Sequence, residues 1–255
     1  MITKTDLCNI ASRVGTDKAT YGYTALYDKY FSSMREKNID ILEIGIYKGA
    51  SLDMWSSYFL DANVFGIDDC SGGHTENPHL NPTNEKDMEQ MRLKGYKVFN
   101  ADQSNRGDLK KALKDNKFDI IVDDGSHFQA DQQISFGAMF STMKPGGYYV
   151  IEDVFALTKE TAVPRKDWGP RRNWGLHDSV DLTDATLTVF EEFERTGKIS
   201  SPYMTSEEME YVSENVNSIT IYYPGPQSAR GNLFLEKAQK AILAGPAALI
   251  FIEKS

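Results

Sequence analysis

Two short stretches hold most of the side chains able to do chemistry. One is Asp123-Asp124-Gly125-Ser126-His127; the other, a helix and a strand further on, is Glu152-Asp153. Hard oxygen ligands with no cysteine beside them suit Mg2+ or a similar cation, whereas zinc prefers more nitrogen and sulfur. His127 lies three residues beyond Asp124, near the start of a predicted helix. A neutral imidazole there, with an unperturbed pKa of about 6.5, can take a proton from a substrate hydroxyl. The competing reading makes His127 a helix cap and the acids a solvated edge. Because adjacent residues of a strand point to opposite faces, Glu152 and Asp153 share one ion only if the strand ends between them.

A third stretch reads Glu43-Ile44-Gly45-Ile46-Tyr47-Lys48-Gly49, or E-x-G-x-x-x-G. A dinucleotide loop would need G-x-G-x-x-G and a Walker loop a terminal G-K-[ST], and neither occurs here. An acid ahead of the turn favours a ligand with a cationic or hydroxyl-bearing head over one that presents phosphates to a helix N-terminus. S-adenosylmethionine meets that description, having an ammonium, a sulfonium and ribose hydroxyls but no phosphate. Glu43, Gly45, Tyr47 and Gly49 are the expected contacts from this loop, with the glycines letting the backbone come close. Asp68 is placed to accept the ribose diol. Asp102 and Gln103 are expected at the adenine amino group, and Asp123 completes the cofactor set.

These residues need a scaffold that brings them to one edge. Short runs rich in Ile and Val recur at 39–44, 63–67, 97–100, 119–122 and 148–151, and between them lie stretches of helical period at 50–58, 84–93, 105–115 and 129–143. This rhythm predicts parallel strands with helices on both faces, the last helix stopping at Lys144-Pro145-Gly146-Gly147. Each strand closes on an acid: Glu43, Asp68, Asp102, Asp123-Asp124 and Glu152-Asp153. In an open parallel sheet those ends share the edge where ligands bind.

The predicted organisation is a single α/β domain over 1–255 with a Rossmann-like, mostly parallel twisted sheet. Residues 1–37 form a helical cap (segments 5–14 and 23–37) and 38–153 the cofactor- and metal-binding core. A lid and helical insertion span 154–215, with a helix at 183–195, and C-terminal strands fill 216–255. Candidate strands there are 218–223, 232–236 and 247–252. Around 154–181 the rhythm fails, and PRKDWGPRRNW carries four basic residues against one acid. Trp168, Trp174, Arg165, Arg171 and Arg172 make this stretch the expected selector of the acceptor.

Composition narrows the class. The chain has 255 residues and a net charge of −9, which argues against a nucleic-acid surface. Its two cysteines, Cys8 and Cys70, read as free thiols in a reducing compartment. No apolar run approaches the roughly 20 residues of a membrane span, and the first residues lack a secretory apolar core. A cytoplasmic enzyme acting on a small molecule is expected, as a homo-oligomer.

Taken together, LEIGIYKGASLDMW, FGIDD, ADQSN, DDGSHFQADQQISFGAMFSTMKPGGYYVIEDV and the upstream GTDKATYGYTALYDKYF resemble one family. It is that of the metal- and S-adenosylmethionine-dependent sugar O-methyltransferases of macrolide and related natural-product pathways. The resemblance covers 7–154 and implies a class I methyltransferase fold. It also implies Mg2+ on Asp124, Glu152 and Asp153, with His127 as general base. Asp124 and His127 are thus the expected catalytic pair. The GTDK segment is implied to close over the cofactor, through Asp17, Lys18 and Tyr23. The resemblance takes in no counterpart of the additional N-terminal domain expected of fuller members, and no acceptor residue carries over beyond Val154. The expected reaction is methyl transfer to a hydroxyl of a sugar or glycosylated natural product, a vicinal diol suiting the ion best. A catechol or phenol O-methyltransferase, an NAD-dependent dehydrogenase and a non-catalytic ligand-binding module are the alternatives.

Overall fold

Along each central strand, neighbouring side chains part to opposite sides. Ile41, Ile120, Val122, Val150 and Phe251 enter one core, while Leu42, Ile121, Tyr149, Ile151, Ile250 and Ile252 enter another. A strand apolar at every position requires helices on both faces, and the computed structural model has them. It describes residues 6–20, 22–70, 83–154, 181–223 and 248–255.

The strands are β1 (Asn38–Ile44), β2 (Asp61–Asp68), β3 (Lys97–Asn100), β4 (Phe118–Asp123), β5 (Met143–Val154), β6 (Val216–Tyr222) and β7 (Ala248–Lys254). They form one sheet of order β3-β2-β1-β4-β5-β7-β6. β1 to β5 pair in parallel, and β7 runs antiparallel to both β5 and β6. Four helices line one face: α1 (Asp6–Val14), α2 (Tyr23–Phe31), α3 (Ala50–Tyr58) and α4 (Glu85–Leu93). α5 (Arg106–Leu113), α6 (Gln129–Phe140), α7 (Thr186–Thr196) and α8 (Ser206–Asn215) line the other. Among the described residues no helix is long and apolar enough to cross a membrane.

The βαβ rhythm is borne out, with two differences. α6 stops at Phe140, not at 143, because Met143 already pairs with Phe118 as the first residue of β5. α8 has no counterpart in the sequence reading, although its signal was present: the Thr205 side chain accepts from Glu208 N, and the Glu208 carboxylate accepts from Thr205 N, forming a capping box. Residues 155–180, which carry the basic tryptophan segment, and the candidate strand 232–236 lie outside the described residues.

Candidate active site

The sheet grows from β1 outward to β3 and then recrosses to β4, so the loops after β1 and β4 flank the point where strand order reverses. Open α/β sheets bind ligands in that crevice. The two loops are stitched to neighbouring strands: Asp124 N donates to Ile44 O at 2.9 Å, and Gly45 N donates to Ile67 O at 2.8 Å. Gly45 turns at φ 81°, its bare Cα facing the β4 loop. A Cβ there would meet the Asp124–Gly125 backbone, so this glycine is needed for packing of protein on protein.

The acids of β5 are sorted by a bulge. Ile151 pairs with Ile250 and Val154 with Ala248, so Glu152 and Asp153 together oppose the single residue Leu249. The strand therefore runs on to Val154 while its alternation breaks at Asp153, which takes φ 49°. Glu152 is buried, and its Oε1 accepts from Lys18 Nζ at 2.7 Å and from the Tyr27 hydroxyl. Asp153, half-buried, accepts the Tyr23 hydroxyl at 2.5 Å on Oδ1. Its Oδ2 lies 3.8 Å from His127 Nε2, and Asp124 Oδ1 lies 3.9 Å from the same nitrogen.

Asp124, His127 and Asp153 each present a ligand atom, all within 4.8 Å of one another. The two aspartate carboxylates supply hard oxygen ligands suited to a small divalent cation, with the imidazole beside them within reach of a substrate hydroxyl. Glu152 is not in that trio. Lys18, from the segment implied to close over the cofactor, lies 1% exposed among Asp124 (2.5 Å), Glu152 (2.7 Å) and Glu43 (3.2 Å). Burial acts to lower its pKa, but the three carboxylates overcome this and hold it well above the usual lysine range. Burial likewise raises Asp153, with His127 opposing.

The expected cofactor residues divide into those that face the crevice and those that brace it. Asp68 reaches across to accept Ile46 N (3.2 Å) and Tyr47 N (3.1 Å) on Oδ2, and Cys70 N (2.8 Å) on Oδ1. Tyr47 is 54% exposed at φ 41°. Asp102 accepts Ser104 N and Oγ and is half-buried. Gly49 leads into α3 at φ 80°, against Met91. Glu43 is fully buried, its Oε2 accepting from Ser51 Oγ at 2.6 Å, and burial raises its pKa.

Gln103 and Asp123 are turned inward. Gln103 Nε2 donates to Asp123 Oδ1 at 3.2 Å, while its Oε1 accepts Ser126 N at 2.6 Å. Ser135 Oγ (2.5 Å) and Tyr149 OH (3.3 Å) donate to Asp123 Oδ2, and burial pushes this acid up to about 6. These bonds brace the β4 loop from beneath. Tyr47, Cys70, His127 and Asp153 are all non-glycine residues at positive φ, and all lie at this edge; Lys114 is the one other among the described residues. Such conformations cost of order 1–3 kcal/mol each and gather where a site must be held in one arrangement.

Sheet order and switch-point crevice define a Rossmann-like α/β fold. Residues 85–201 match the family model described as Methyltransferase domain. The chain is 33% identical over 162 residues to the mycinamicin VI 2''-O-methyltransferase of Micromonospora griseorubida, covering 60% of this chain and 37% of that protein. It is 34% identical over 160 residues to the L-olivosyl-oleandolide 3-O-methyltransferase of Streptomyces antibioticus, covering 58% and 37% respectively. In structure it resembles the MycE methyltransferase of the mycinamycin pathway, solved with Mg, SAH and mycinamycin VI. The TM-score is 0.62 and the identity 25%, covering 100% of this chain and 56% of that one. The likeness to sugar O-methyltransferases read from the motifs is therefore borne out, and the chain spans little more than a third of the curated relatives it matches.

Proposed function

We propose that the protein transfers a methyl group from S-adenosylmethionine to a hydroxyl of a glycosylated natural product, with a divalent cation at the acid cluster and His127 as general base. The observation that carries this reading is the convergence of Asp124, His127 and Asp153 at the switch point, beside the Glu43–Gly49 loop. Support comes from the relatives, which are named as a mycinamicin VI 2''-O-methyltransferase and an L-olivosyl-oleandolide 3-O-methyltransferase, and from the solved MycE complex, which holds Mg, SAH and mycinamycin VI.

A bound Mg2+ supplies Lewis acidity that lowers the pKa of a coordinated hydroxyl. Asp124 and Asp153 would hold it, with Glu152 beside them, its Oε1 already bonded to Lys18 and Tyr27. His127 stands against both aspartates and would take the proton of the acceptor hydroxyl, while S-adenosylmethionine would supply the methyl group on its sulfonium. Asp68 keeps the β1 loop in place through its backbone bonds and presents its carboxylate to the ribose diol. Much of the acceleration comes from holding two reactants in line.

The test is incubation with S-adenosylmethionine and a macrolide or aromatic polyketide glycoside lacking one O-methyl group, read by mass spectrometry. A methylated glycoside that disappears in excess chelator is the expected result. Turnover unaffected by chelation would remove the cation from the reading. Methylation of simple catechols in preference to glycosides would shift the substrate class.

A further inference from the structure

Lys18 is placed where a buried lysine rarely stands. It comes from the short helical turn Asp17–Ala19 between α1 and α2, yet its Nζ lies 2.5 Å from Asp124, 2.7 Å from Glu152 and 3.2 Å from Glu43, at 1% exposure. These acids come from the ends of β1, β4 and β5, three different strands. One ammonium thus joins the cofactor loop to the two acid stretches. It also divides the Asp124 carboxylate: Oδ2 is bonded to Lys18, while Oδ1 is the oxygen turned toward His127. Asp153 receives no bond from Lys18 and is held by Tyr23.

We infer that Lys18 is a positioning residue and the resident cation of this cluster, so that a divalent ion binds in competition with the ammonium and not on bare acids. The inference rests on the cation reading of the Asp124–His127–Asp153 trio. Glu43, Asp124, Glu152 and Asp153 bring four carboxylates together. With only water to neutralise them, such a cluster would repel itself apart; with Lys18 in place it stays assembled before any ion arrives. The same ammonium repels an incoming cation. Two like charges a few ångströms apart in a protein interior weaken each other's binding by tenfold or more. Orienting one short carboxylate is worth only a few-fold. Repulsion therefore decides the sign.

The experiment is Mn2+ binding, followed by the electron paramagnetic resonance of the free ion, for the wild type, Lys18→Met and Lys18→Arg without cofactor. Lys18→Met should bind Mn2+ at least tenfold more tightly, and Lys18→Arg should stay within about threefold of wild type. A residue that only stabilises the fold predicts the opposite, weaker binding in Lys18→Met. Circular dichroism establishes that each variant is folded. Should Lys18→Met fail to fold, the wild type answers through NMR of its 15N-labelled lysine ammonium groups: the Lys18 resonance should shift as Mg2+ is added. Equal or weaker Mn2+ binding by folded Lys18→Met, or an ammonium signal indifferent to Mg2+, overturns the inference alone. Absence of Mn2+ binding in every form overturns it together with the cation reading.

Discussion

Gly45 and Asp124 lie so close that a Cβ on Gly45 would stand 2.2 Å from the Asp124 carbonyl oxygen. The obstacle is backbone, and Gly45 is at φ 81°, so neither partner can give way cheaply. Left-handed backbone and overpacking together are worth about 2–4 kcal/mol. Gly45→Ala should lower stability by that amount in calorimetry and push the acid-bearing loop away from β1. An alanine variant that melts with the wild type would show that the two loops separate freely.

Asp68 serves the protein and, on the proposed reading, the ligand as well. Its carboxylate accepts three backbone N–H groups from Ile46, Tyr47 and Cys70. A hydrogen bond to a charged group contributes about 1.5–3 kcal/mol. Asp68→Ala should weaken S-adenosylhomocysteine binding at least tenfold by titration calorimetry, with Asp68→Asn intermediate. Unchanged affinity in both variants would move the ribose site elsewhere.

His127 stands between two carboxylates that come from different strands, with Nε2 3.9 Å from Asp124 and 3.8 Å from Asp153. As a general base it should be worth roughly 10²–10⁴-fold in the chemical step. Single-turnover kinetics of His127→Ala should show this loss, with partial recovery as pH rises and the acceptor ionises unaided. A near-wild-type rate would remove His127 from the chemical step.

Cys70 supplies a pH test away from the acid cluster. Burial first, and the Asp68 carboxylate next, push its thiol up to about 11. Below that value the thiolate fraction rises tenfold per pH unit, and the thiolate is the reactive form. In a Cys8→Ser background, alkylation by iodoacetamide should therefore still be climbing at pH 9, where an ordinary thiol has begun to level off. A plateau near pH 8.5 would contradict the assigned environment.

What the sequence determined by itself is the scaffold and the residue types at its edge. Ile- and Val-rich runs, each closing on an acid, specify a parallel sheet whose carboxyl ends carry Glu43, Asp68, Asp102, Asp124 and Asp153, because burial on both faces admits few other residue types. The capping box at Thr205 and Glu208 was legible too, and would have placed α8. Tertiary structure alone decided which acids face outward. Strand periodicity puts Glu152 and Asp153 on opposite faces, and only pairing with β7 creates the bulge that lets both serve one cluster. Gln103 and Asp123 have the chemistry of ligand contacts, yet they bond to each other because β4 and the β3 loop meet beneath the crevice. Lys18 is separated from Asp124 by 106 positions and from Glu152 by 134. No local pattern links residues so far apart, since their attraction exists only once folding has removed the water between them.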